Sequence, residues 1–165
     1  MNMCDYWRQM VVRLILACGL VTASAPALSA PLQYADDLAA VRRQVAAANT
    51  PIMLVFTRPD CPYCARAKKD HLEPLSVSRD YGAQVVLREI DSLNERLALR
   101  GFDGVMTTHR AFARKYGVRV VPTVIVVDSH GKPLADPLVG LNAPEFYTLY
   151  IEHAIDAARL KLDSR

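Results

Sequence analysis

Two cysteines three residues apart, Cys61 and Cys64 in the run Cys61-Pro62-Tyr63-Cys64, are the residues of this chain best suited to chemistry. A bridge between them closes too short a loop to restrain the unfolded chain much, so stabilisation is a poor reason for their spacing. Reversible oxidation is a better one: a thiolate attacks disulfides, and a second thiol one helical turn away can release the product. Other uses of the pair are weaker. A hydrolytic Cys61 needs an oriented base, and none accompanies it. A metal site needs four ligands, and the pair with His71 falls short. His109, His130 and His153 lie in polar or helical contexts with no matching acid or nucleophile. Arg66, Lys68 and Lys69 read as a solvated helix face that can also meet acidic partner surfaces.

The rest of the chain bounds what surrounds the pair. It has 165 residues, 52% hydrophobic and 22% charged, with 7 glycines, 10 prolines and a formal charge of +3. This suits one globular domain with its own core, excludes a disordered or disulfide-dense class, and carries no basic stripe that would make nucleic acid a partner. The first residues read differently. Arg8 and Arg13 precede a short apolar run, LILACGLV, and then the small-residue stretch TASAPALSA. That is the layout of a secretory signal peptide over residues 1–27, with Ala25-Pro26-Ala27 as the cleavage signal and residue 30 as a later limit. The run is far shorter than the ~20 residues a membrane-spanning helix needs. Cleavage removes Cys4 and Cys18, leaving a domain of residues 28–165 whose one cysteine pair is exported to an oxidising compartment.

Several elements must position that pair. Residues 33–48 place Leu38, Val41 and Val45 on one face, with Asp36 and Asp37 in the first turn, and predict an amphipathic helix. The run IMLVFT at 52–57 predicts a strand buried on both faces. Asp60 is the expected N-cap of a helix that holds both cysteines and runs to about residue 75, where Pro74 kinks or stops it. Residues 85–90 predict a second strand, parallel to the first. Residues 92–106 read as loop with some helical character. Thr107 or Thr108 caps a short helix that Gly117 ends, and residues 120–128 form another apolar strand. A turn at 129–132 leads to a hairpin partner at 134–141, and Asn142-Ala143-Pro144-Glu145 reads as a capping box for a last helix to about residue 162. At a helix start, Cys61 meets unpaired backbone N–H groups and the positive end of the dipole, which favour the thiolate. Cys61 is therefore the expected nucleophile and Cys64 the resolving thiol. Pro62 stiffens the turn, and Tyr63 exposes its ring beside the pair.

A buried strand, a C-x-x-C pair at a helix start, and YGVRVVPT before another buried strand together resemble the thioredoxin superfamily over about residues 34–162. The resemblance implies an α/β thioredoxin fold, with a central mixed sheet of about four strands and helices on both faces. It also implies that Val121-Pro122 is a cis peptide beside the cysteines, with Val121, Pro122 and Thr123 lining a groove for an extended substrate. Without the resemblance, a trans proline at a strand start is the simpler reading. The chain departs from thioredoxins in two places. Val55 stands where they bury an acid, and Asp60 stands where they have tryptophan. Glu89 on the neighbouring strand is the candidate replacement proton acceptor, against the alternative of a solvated edge charge.

The resemblance and the signal sequence imply a periplasmic thiol-disulfide oxidoreductase, foremost a reductase of protein disulfides. Its redox-active disulfide is its only redox group, with no dissociable cofactor. Protein disulfides are the expected substrates, a membrane thiol-disulfide transducer the expected electron donor, and a monomer the expected state. A disulfide oxidase or isomerase, and a binding module without turnover, are the alternatives.

Overall fold

The computed structural model describes residues 31–164. The signal-peptide reading of residues 1–27 lies outside them. The described chain forms helix α1 (Leu38–Ala46), strand β1 (Ile52–Thr57), helix α2 (Pro62–Ala67), a π-helical turn (Lys68–Leu72) and helix α3 (Glu73–Ser76). Strands β2 (Val86–Asp91), β3 (Ala98–Arg100) and β4 (Met106–Thr108) follow, then helix α4 (His109–Lys115), strands β5 (Thr123–Val127) and β6 (Leu138–Val139), and helix α5 (Tyr147–Asp163). The main sheet has the order β2-β1-β5-β6. Strand β1 runs parallel to β2 and antiparallel to β5. This is the thioredoxin fold expected, a four-stranded mixed sheet between two helical layers.

The alternation of β1 explains the layers. Met53 and Val55 join the core under α3 and α5, while Ile52, Leu54 and Phe56 join the core under α1 and α4. All six β1 residues are buried, because a central strand must feed both cores. The site then falls where β1 ends, at the junction of strand and helix α2.

Five sequence expectations change in the structure. Residues 33–35 leave the predicted first helix and pair with the open edge of β2, where Ala35 N–H donates to Glu89 O (2.8 Å) and Glu89 N–H to Gln33 O (2.8 Å). An unpaired sheet edge gains more from backbone bonds than a frayed helix end does. Helix α1 therefore starts after Asp37, whose carboxylate accepts from Ala40 N–H at 2.8 Å. The cysteine helix neither runs regularly to Pro74 nor simply stops there. Pro74 has no N–H, and the turn before it widens so that Glu73 N–H reaches Lys68 O. Residues 92–106 hold no helix. Asn94 Oδ1 accepts from the backbone of Arg96 and Leu97, and this side-chain turn leads into the β3–β4 hairpin. The hairpin partner expected over 134–141 shrinks to two residues, since Pro133 and Pro137 cannot donate to a ladder. The capping box at 142–145 does not form. Asn142 instead donates its amide to Val139 O at 3.1 Å, and a 3-10 turn precedes α5.

Candidate active site

Strand β1 delivers the chain through Arg58, Pro59 and Asp60 to Cys61, which itself takes the N-cap position of α2. The expected cap, Asp60, lies 3.5 Å from the Arg58 guanidinium instead. Cys61 displaces it because its sulfur sits where a capping oxygen would: Cys64 N–H donates to Cys61 Sγ at 3.1 Å. Pro62 fills the first helical position, where its missing N–H costs nothing. Cys61 and Cys64 are joined as a disulfide, with Cα atoms 5.2 Å apart. Both are buried, Cys61 at 5% exposure and Cys64 at 1%, so Cys61 is the more accessible residue of the pair. Tyr63 turns outward at 63% exposure. In this disulfide form the Cys64 N–H points at the Cys61 sulfur, the kind of donor that favours negative charge on a sulfur.

The opposite wall comes from the start of β5. The Val121–Pro122 peptide is cis, and the Val121 carbonyl oxygen lies 3.9 Å from Cys61 Sγ. This loop is held from within. The buried Thr123 hydroxyl donates to Val120 O (2.8 Å), and Gly140 N–H donates to Pro122 O (2.7 Å). The structure thus brings Cys61, Cys64, Val121 and Pro122 together. Pro62 and Tyr63 lie at the rim, and the Thr123 side chain braces the loop.

Glu89 is not a solvated edge charge. It is 3% exposed, and one carboxylate oxygen accepts from Thr57 Oγ1 (2.6 Å) and Lys68 Nζ (2.8 Å). Its backbone registers with Val55 on β1, so the acid missing at position 55 has a counterpart on the adjacent strand. Burying a carboxylate is costly unless it is paired and hydrogen-bonded, and both conditions hold here. Lys68 breaks the basic face read from sequence. It turns in to Glu89, while Arg66 pairs with Asp70 at 3.5 Å. Sequence reasoning missed Lys68 and Thr57 as parts of this group. The signal was present, since Lys68 lies one helical turn beyond Cys64 and shares its face.

The histidines stand apart from the sulfurs. His71 Nδ1 bonds Thr148 Oγ1 (2.8 Å) and His130 Nε2 accepts from Arg42 (3.0 Å). His109 is fully buried: Nδ1 accepts from Asp91 N–H (3.0 Å) and Nε2–H donates to Ala35 O (2.8 Å). Burial pushes its pKa down, in keeping with a neutral ring that has both nitrogens engaged. Among the described residues, no group of three or more His, Cys, Asp or Glu gathers to hold a metal ion.

Several solved structures share this fold. A DsbH oxidoreductase aligns with a TM-score of 0.56 and 19% identity, over 90% of this chain and 99% of that one. Spinach chloroplast thioredoxin f aligns at 0.52 and 20% identity, over 79% and 89%. The thioredoxin of Malassezia sympodialis aligns at 0.50 and 18% identity, over 76% and 95%. At such identities the likeness bears on the fold. No curated protein matches the chain. The sequence model of the thioredoxin-like domain matches residues 38–155, a span that contains the cysteine pair, the buried Glu89 and the cis-proline loop. A C-x-x-C pair on this fold supports thiol-disulfide exchange, and the chain belongs to the thioredoxin-like domain family.

Proposed function

We propose that this protein is a periplasmic reductase of protein disulfides that works through Cys61 and Cys64. The observation that carries the reading is the pair itself, at a helix start with Cys64 N–H on Cys61 Sγ and the Val121 carbonyl 3.9 Å from that sulfur. In the reduced protein, the Cys61 thiolate attacks one sulfur of a substrate disulfide, forming a mixed disulfide and expelling the other sulfur as a thiolate. Cys64 then loses its proton and attacks Cys61 Sγ, which expels the second substrate sulfur and closes the Cys61–Cys64 disulfide. Two electrons pass to the substrate, whose sulfurs each take up a proton. Glu89 is the acceptor for the Cys64 proton, and the Lys68 and Thr57 bonds hold its carboxylate in place. An extended substrate segment pairs with the Val121 backbone beside Pro122, against Pro62 and Tyr63.

The reading also assigns export by residues 1–27, a monomeric state and no dissociable cofactor. The pair is returned to the dithiol by exchange with a membrane-bound dithiol donor. A Cys-Pro-Tyr-Cys pair of glutaredoxin type has a potential of about −200 to −230 mV, against about −120 mV for a strong oxidase. Equilibration of the purified protein against glutathione buffers measures which applies. A value near the oxidase end overturns the reductase direction, and a flat insulin-reduction assay with an active dithiol donor overturns turnover altogether.

A further inference from the structure

Next to Val121 the surface opens into a groove of about 170 Å³, between the segment that precedes the cis-proline and the outer strand β6. Its apolar lining includes Val118, Val120, Ile125, Pro137 and Val139. Val120 and Val139 are 52% and 46% exposed, large for aliphatic side chains on a folded domain. Arg119 is the one charged side chain in the lining among the described residues. It is exposed and makes no ion pair among the described residues, whereas Arg58, Arg66 and Lys68, in and after the cysteine loop, are each bound to an acid. Asp136 neighbours Pro137 in sequence but does not line the groove.

We infer that this groove is a side-chain subsite for the substrate: it takes one aliphatic or aromatic residue near the reacting cysteine, and Arg119 selects segments carrying an acidic residue beside it. The inference rests on the thiol-disulfide reading of Cys61 and Cys64. Its geometry follows from the loop. The Val121 carbonyl is 3.9 Å from Cys61 Sγ, and Val120 is the next residue outward. An extended chain advances about 3.3 Å per residue, so a segment lying along Val121 reaches the groove within about two or three residues of its cysteine. An apolar cavity of about 150 Å³ holds a benzene-sized group, so the volume suits one side chain. An unpaired cation at the edge of an apolar pocket attracts an acid at little desolvation cost, because its guanidinium stays in water.

The test uses two peptides, each joined through a single cysteine to mercaptoethanol as a mixed disulfide and reduced by the protein with dithiothreitol as donor. One carries Leu-Asp two residues from the cysteine and the other Leu-Lys. We expect kcat/KM to favour the acidic peptide by about three- to five-fold at low salt, the range of an exposed charge pair. The preference should vanish in Arg119→Ala, reverse in Arg119→Glu and shrink in about 0.5 M salt, where screening is short-ranged. Replacing the leucine by glycine should lower kcat/KM for both peptides several-fold. Equal rates for the two peptides with the unaltered protein, a preference that survives Arg119→Glu, or indifference to the leucine would overturn the subsite. Failure to turn over hydroxyethyl disulfide, a neutral substrate too small to reach the groove, would instead overturn the exchange reading on which it stands.

Discussion

Glu89 and His109 are two buried ionisable groups tied to one strand, and they are held in opposite ways. Glu89, on β2, keeps side-chain partners, one of them charged: Lys68 at 2.8 Å and the Thr57 hydroxyl at 2.6 Å, on the sheet face that carries the cysteine helix. His109 caps the other face and is bound to backbone groups alone, Asp91 N–H at 3.0 Å and Ala35 O at 2.8 Å. Burying a carboxylate is costly, and here a cation and a hydroxyl that both donate to it offset that cost. A neutral imidazole satisfied by an amide and a carbonyl has no valence left for chemistry; it ties the N-terminal segment, the end of β2 and the start of α4 together. Burial alone therefore does not distinguish the two groups, and the kind of partner does.

The contrast can be broken at four points, in descending size of effect. Cys61→Ser should abolish disulfide reduction, by at least about a thousand-fold, since Cys61 is the more accessible of the paired cysteines and Cys64 is almost fully buried. Cys64→Ser should accumulate mixed disulfides on Cys61, seen on non-reducing gels. Trapping that instead required Cys64 as the attacker would reverse the roles. Next, Lys68→Met leaves Glu89 buried without its counterion. Removing one partner of a buried pair costs about 3–5 kcal/mol, and Lys68 is partly exposed, so about 2–3 kcal/mol is expected in urea unfolding. Lys68→Met with Glu89→Gln should recover most of that loss. A double variant no better than the single one would show that the pair does not act as a unit.

His109 sets the third point, a dependence on pH. Its folded pKa is depressed below the ordinary 6.5 by burial. Between the folded and unfolded pKa values the unfolded chain binds the proton and the folded chain does not, so stability must fall as pH drops below about 6.5. His71, also depressed, adds in the same direction. His109→Gln should flatten the slope of unfolding free energy below about pH 6.5, and cost about 1–3 kcal/mol at neutral pH through an orphaned backbone group. An unchanged slope would remove His109 from the account. The smallest effect belongs to Tyr63. At 63% exposure, its change to alanine should leave stability within about 0.5 kcal/mol and raise KM for protein disulfides about two-fold, measured by insulin reduction.

Much of the site was legible in the sequence, and the residues explain why. The Cys61-Cys64 spacing, the apolar run of β1 and the motif around Pro122 are local patterns, and local patterns survive into the fold. Thr108 took its expected capping place because its hydroxyl reaches Ala111 N–H three residues on, at 3.2 Å. The misreadings came where a local preference met a distant competitor. Residues 33–35 were claimed by the edge of β2, Asn142 by the Val139 carbonyl, and the cap of α2 by a sulfur rather than by Asp60. Lys68 looked like one more solvated cation because its partner, Glu89, lies 21 residues away.

By itself, then, the sequence determined the reactive pair, the order of the elements outside the β3–β4 hairpin and the apolar run that buries β1 on both sides, because each is written in spacing along the chain. The tertiary structure alone decided what surrounds the pair: the Val121 carbonyl at 3.9 Å from Cys61 Sγ, Glu89 turned into the protein against Lys68, and Arg119 beside a groove with no ion pair among the described residues. Such pairings depend on which strands are neighbours and on what other partners are free. A cross-strand carboxylate is buried rather than left as surface charge only when the fold brings it a counterion.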